Sequence, residues 1–109
     1  MKNVIVTTTP EIPGHKIKRV LGIVNGTTVR TRGAWGRFLA GLKATFGGKV
    51  GAVLKEVNKA QDEAIQNLIK NAQEMGANAV IGVRLEITEI FEGMVLINAS
   101  GTAVEIEPE

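Results

Sequence analysis

A chain of 109 residues has room for one compact domain and is too short for two independent cores, and its 44% hydrophobic and 22% charged content is that of a globular protein rather than a disordered one. The absence of cysteine excludes disulfides, thiolate metal sites, cysteine nucleophiles and thiol redox switches from the chain itself. Net charge is only +2, yet it is unevenly placed: His15 to Lys55 holds nine basic residues and no acid, whereas Glu56 to Glu109 holds ten acids against Lys59, Lys70 and Arg84. That division has two readings, an anion-binding or nucleic-acid-binding first half, or two halves that pair with each other; the near-neutral total argues against nucleic acid.

In chain order, Met1 to Val6 contains an apolar run of three residues, far short of a signal-peptide core, and no uninterrupted apolar segment reaches the ~20 residues that span a bilayer. A cytoplasmic protein is the expectation. A first strand is predicted over Val4 to Thr7, followed by a break at Pro10, Pro13 and Gly14. Asn25-Gly26 then carries the strongest short-range hairpin signal in the chain, because a type I′ turn needs positive φ at both central residues. Strands are predicted on either side, Ile17 to Val24 and Thr27 to Thr31, which would set Arg19 opposite Arg32 with Arg30 alongside.

From Ala34 to Phe46, Trp35, Phe38, Leu39, Leu42 and Phe46 recur on one helical face, and Gly47-Gly48 ends the pattern. A longer helix is predicted from Ala52 to Met75, where Val53, Val57, Ala60, Ala64, Leu68 and Ala72 fall in steps of three or four. Gly76 stands where a left-handed residue would close it. Beyond Asn78 the period changes to two: Val83 to Thr88 alternates as a strand, and Met94 to Val104 forms another, with Ile97, Ala99 and Ala103 on one face. Glu92-Gly93 is the predicted turn, and the acidic end Glu105 to Glu109 is expected to fray.

Strand, hairpin, two helices and hairpin make an α+β two-layer sandwich, a mainly antiparallel sheet with one short and one long helix, in a single domain over 1–109. The run Met75-Gly76-Ala77-Asn78-Ala79-Val80-Ile81-Gly82-Val83, with Ser100-Gly101-Thr102-Ala103-Val104, Thr7-Thr8 and Gly22-Ile23-Val24-Asn25-Gly26, resembles the YbjQ-like family, UPF0145, over nearly the whole chain. That resemblance implies a fold like a dodecin subunit and assembly into ring-like homopentamers joined by short strands. It also brings the family's label of heavy-metal binding and, by analogy of fold alone, flavin stacking on Trp35.

The residues give catalysis little to work with. His15 is the only imidazole and stands in a predicted loop, Ser100 is the sole serine and lies within an alternating strand, and Glu86 alternates outward with Arg84 and Thr88. Gly47-Gly48-Lys49 does not extend to a phosphate-binding loop, since Lys43 and Val50 replace the required Gly and Ser/Thr. Soft metals want thiolates or several imidazoles, and the methionines are not clustered. No enzyme activity, catalytic residue, cofactor or metal ligand is therefore expected.

Three functional readings are open. The leading one is a non-enzymatic homo-oligomer, a pentamer by resemblance, binding a small ligand or partner at subunit junctions, with Arg19, Arg30 and Arg32 as anion or subunit contacts. The second is a peripheral membrane protein that meets anionic lipid through the basic aromatic helix 34–46, where Trp35, Phe38 and Arg37 form the face. The third is the metal binding that the family label suggests, with a site assembled from His15 and carboxylates of several subunits.

Overall fold

The structure, a computed structural model, describes residues 3–30, 50–91 and 94–109. The expected helix 34–46 and the Glu92-Gly93 turn lie outside these residues. The described elements are β1 (Ile5–Val6), β2 (His15–Arg30), α1 (Val50–Glu74), β3 (Ala79–Phe91) and β4 (Met94–Pro108). The strands form one sheet in the order β1-β3-β4-β2, with β1 parallel to β3 and the other pairs antiparallel. This is an α+β arrangement on a four-stranded mixed sheet.

The predicted hairpin at Asn25-Gly26 does not form. β2 runs straight through it, with Asn25 opposite Ser100 and Gly26 opposite Ala99 on β4. The positive-φ glycines are Gly14, Gly22, Gly76 and Gly82, so Gly26 makes no use of left-handed freedom. It is needed for its missing side chain: a Cβ there would run into the backbone of α1 at Leu68 N and Ala64 O. With the hairpin gone, the two-residue-turn register that would have set Arg19 opposite Arg32 has no basis. Arg19 lies opposite Glu105 on β4, and Arg32 is outside the described residues.

The long helix forms as its periodicity requires. Ala60, Ala64, Leu68 and Ala72, spaced by four, are fully buried against the sheet with Val24, Val80, Val83, Ile97, Ala99 and Ala103. Three of those four helical residues are alanines, which is what lets the helix axis come down onto Gly26. At its end Gly76 has φ +88, Ala77 N–H bonds Ala72 O and Gly76 N–H bonds Gln73 O, both at 3.0 Å, the paired closing bonds of a glycine-terminated helix.

Asn78 then splices helix to sheet. Its backbone N–H donates to Val104 O at 3.2 Å, and its side-chain amide donates to Ile106 O at 2.9 Å while its Oδ1 accepts from Ile106 N at 2.7 Å. The amide thus imitates one more strand residue. This is why the acidic end does not fray as expected: β4 continues to Pro108, Ile106 is buried, and Glu105 and Glu107 face Arg19 and Lys16. A second, smaller cluster forms around Ala79, Val104 and Ile106, with Ile12 and Ile81 packed on it, and strand alternation sets it on the face away from the helix.

Replacing Gly26 with Ala should lower stability by about 2–3 kcal/mol in chemical denaturation, because the clash is with helix backbone that has no rotamer to yield. Gly101→Ala should lose less, since its Cβ would meet the Val80 side chain at 2.7 Å and Ile81 O at 3.0 Å, a milder overlap than the one with helix backbone at Gly26.

Candidate interaction surfaces

The sheet has two long outer edges, and α1 treats them differently. Along β2 the helix presents Glu63, Asn67, Asn71 and Met75 at steps of four. Asn67 Nδ2 donates to Thr27 O at 2.8 Å and Asn71 Nδ2 donates to Asn25 O at 2.7 Å. Glu63 Oε2 accepts from Thr28 Oγ1 at 3.1 Å and pairs with Arg30 Nη1 at 2.9 Å, while Arg30 Nη1 also reaches Thr28 Oγ1 at 3.3 Å. The Met75 methyl lies beside Gly22. Arg30, one of the expected anion or subunit contacts, is thus partly buried and held by the chain's own carboxylate.

Along β3 there is no such cover. β1 pairs with Ala79 and Val80, and Thr7 and Thr9 carbonyls accept from Val83 and Gly82, both at 3.0 Å. From Arg84 to Glu89 the outer edge of β3 is unaccompanied among the described residues, and all six residues are exposed. Arg84, Glu86 and Thr88 do point outward as their alternation predicts. Leu85 and Ile87, on the helix side by their pairing with Ala99 and Ile97, are nevertheless 41% and 56% exposed, since α1 is seated over β2 and β4. On the opposite face Ile23 and Val20 of β2 are 79% and 62% exposed.

Arg19 Nε pairs with Glu105 Oε1 at 3.7 Å and Lys16 Nζ with Glu107 Oε1 at 3.3 Å, exposed cations on half-buried carboxylates. The basic first half and acidic second half therefore meet within one chain at these pairs and at Arg30–Glu63. Arg32, Trp35, Phe38 and Arg37 lie outside the described residues. Sequence reasoning missed Asn67 and Asn71; their i,i+4 spacing on the helix beside the alanine stripe was the available signal. It also missed Glu63.

His15 lies at the other end of β2, beside a cavity of about 370 Å³ shared with Glu11, Lys16 and Glu109, and its Nδ1 lies 3.2 Å from Pro13 O. Among the described residues no three His, Asp or Glu side chains come together as a metal site would require. Ser100 and His15 are far apart: His15 pairs with Pro108, eight residues along β4 from Ser100, or about 27 Å of strand.

The full-length pattern of these elements matches a known family. A family model described as "Putative heavy-metal-binding" fits residues 4–107. The chain belongs to the YbjQ-like (UPF0145) family. A UPF0145 protein of Picrophilus torridus is 43% identical over 99% of this chain and 92% of its own length, and one of Saccharolobus islandicus is 42% identical over 95% and 91%. Neither name carries an activity. A crystal structure of a protein of unknown function from Pediococcus pentosaceus, assigned to the DUF74 family, superposes with a TM-score of 0.60 at 18% identity, over 95% of this chain and 98% of that one. It shares the fold. The YbjQ-like label names heavy metals, but the donor set among the described residues does not fit one: there is no thiolate, and the single imidazole has no two further donors gathered about it as a metal would need.

The Arg30 and Thr28 hydrogen bonds hold the Glu63 carboxyl below its ordinary range. A depressed carboxylate stabilises the fold above its unfolded pKa, and that contribution disappears as pH falls through the folded value. Denaturation between pH 7 and pH 3 should therefore show the wild type losing more stability than Glu63→Gln, which has no charge to lose there. The exposed Arg19–Glu105 pair, by contrast, should be nearly silent: Arg19→Ala is expected to change stability by less than about 1 kcal/mol.

Proposed function

We propose that this chain is a non-enzymatic, cytoplasmic subunit that assembles with copies of itself, in a closed ring of five as the family resemblance implies, and holds a small ligand or partner at the junctions. The observation that carries this reading is the outer edge of β3. A strand from Arg84 to Glu89 with no neighbour on its outer edge among the described residues, and with exposed Leu85 and Ile87, is a template for pairing, and an edge of this length is ordinarily shortened, charged or covered. A second copy covers it. The apolar Val20 and Ile23 on the opposite face add surface for the same purpose.

The non-enzymatic part is supported by the separation of Ser100 from His15 and by the solvated setting of Glu86 beside Arg84 and Thr88. No described helix is long and apolar enough to cross a membrane.

Sedimentation velocity on untagged protein tests assembly directly: a species several times the 11.6 kDa chain is expected at micromolar concentration, and a clean monomer there would overturn the reading. Ile87→Asp should weaken self-association on the order of 100-fold while leaving the far-UV spectrum intact, because it removes an apolar contact and sets a charge in the junction. Native mass spectrometry of the same sample reports whether a ligand travels with the assembly.

A further inference from the structure

The direction in which β4 turns its backbone groups fixes which groups of β2 are free. Val104 O accepts from Asn78 N, and Val80 O turns away from β4 to accept from Thr7 N at 3.0 Å. Even-numbered β4 residues therefore face β3, and odd-numbered ones face β2. It follows that Ile23, Asn25, Thr27 and Val29, opposite Thr102, Ser100, Asn98 and Leu96, direct their N–H and C=O groups outward from the sheet. The stretch carrying them is hazardous by composition: from Val20 to Val29 there is no charged residue and no proline, and six of the ten are Val, Ile or Thr. Such a segment on an edge invites the same segment from another molecule.

Natural edges are usually guarded by a lysine, a proline or a bulge on the strand itself. β2 has its bulges and basic residues before Ile23, between Lys16 and Gly22, and from Ile23 to Val29 the guard comes from the helix. Asn71 occupies Asn25 O and Asn67 occupies Thr27 O, so two of the four outward carbonyls already have donors. The geometry keeps them in step: four helical residues advance about 6 Å and two strand residues about 6.7 Å. Gly26, between the two carbonyls, lets the helix come close enough for short asparagine side chains to reach.

We infer that Asn67 and Asn71 form an autoinhibitory contact that closes the outer edge of β2 against strand addition by the β2 edge of a second copy of this chain. An incoming strand needs those carbonyls for its own N–H groups, and finding them filled it would bury unpaired donors. This inference concerns β2 and does not rest on the assembly proposed at β3.

The test is the double variant Asn67→Ala/Asn71→Ala, followed by thioflavin T fluorescence and sedimentation beside the wild type. With the far-UV spectrum retained, thioflavin signal is expected to rise roughly tenfold or more, with open-ended aggregates beyond the wild-type species. Adding Thr27→Lys, a charge on the opened edge, should bring the signal back to within about twofold of wild type. A folded double variant with wild-type thioflavin signal overturns the inference. So does aggregation that Thr27→Lys leaves unchanged, which would mark general destabilisation instead of an opened edge. Should the double variant lose its far-UV spectrum, Asn71→Ala alone decides: a several-fold rise reversed by Thr27→Lys supports the contact, and no rise overturns it.

Discussion

The seating of α1 on Gly26 is the constraint on which the rest of this structure depends. Because a Cβ at that position would meet helix backbone, the helix lies over β2 and β4 at a distance only glycine and alanine allow. Much follows from that closeness. Ala60, Ala64, Leu68 and Ala72 can be fully buried. Asparagine side chains, which are short, can span from helix to strand carbonyls. The Glu63 carboxylate can reach both Thr28 and Arg30, and the cation that sequence alone would offer to a ligand is tied down inside the chain.

The same seating leaves one side of the sheet short of cover. A helix about 10 Å wide cannot shield three strands spaced nearly 5 Å apart together with their edges. Shifted toward β2, it closes that edge with side-chain amides and leaves Leu85 and Ile87 of β3 open. The asymmetry distinguishes two surfaces that resemble each other in sequence. Both are strand edges with exposed aliphatic residues, but among the described residues it is the β2 edge whose acceptors are filled from the helix. The association proposed at β3 and the resistance proposed at β2 would then both follow from one helix position.

Charge is handled in the same local way. Lys16, Arg19 and Arg30 each find a carboxylate from the acidic second half, two of them across the β2–β4 ladder and one on the helix. The exposed ladder pairs contribute little energy and help fix register, whereas the partly buried Arg30 links helix to strand. The lopsided charge of the sequence therefore reports in part on which elements are neighbours.

The sequence by itself determined the elements whose signal is local. The helix periodicity of Ala60 to Ala72, its stop at Gly76, the alternation of Val83 to Thr88 and the inward set Ile97, Ala99 and Ala103 all depend on residues within a turn or two of one another, and the structure has them. The family was legible for the same reason, through ordered motifs. Asn25-Gly26 was misread because the pair has two uses that composition cannot separate: positive φ in a turn, or absence of a side chain under a neighbouring backbone. Only the contact with Leu68 and Ala64 decides between them. The continuation of β4 past Val104 was likewise invisible, since it depends on Asn78, 28 residues from Ile106, imitating a strand residue. Which edge is closed and which is open was decided by tertiary structure alone, because it depends on where the helix comes to rest across the sheet, a balance of side-chain sizes on three separate elements that no single stretch of chain records.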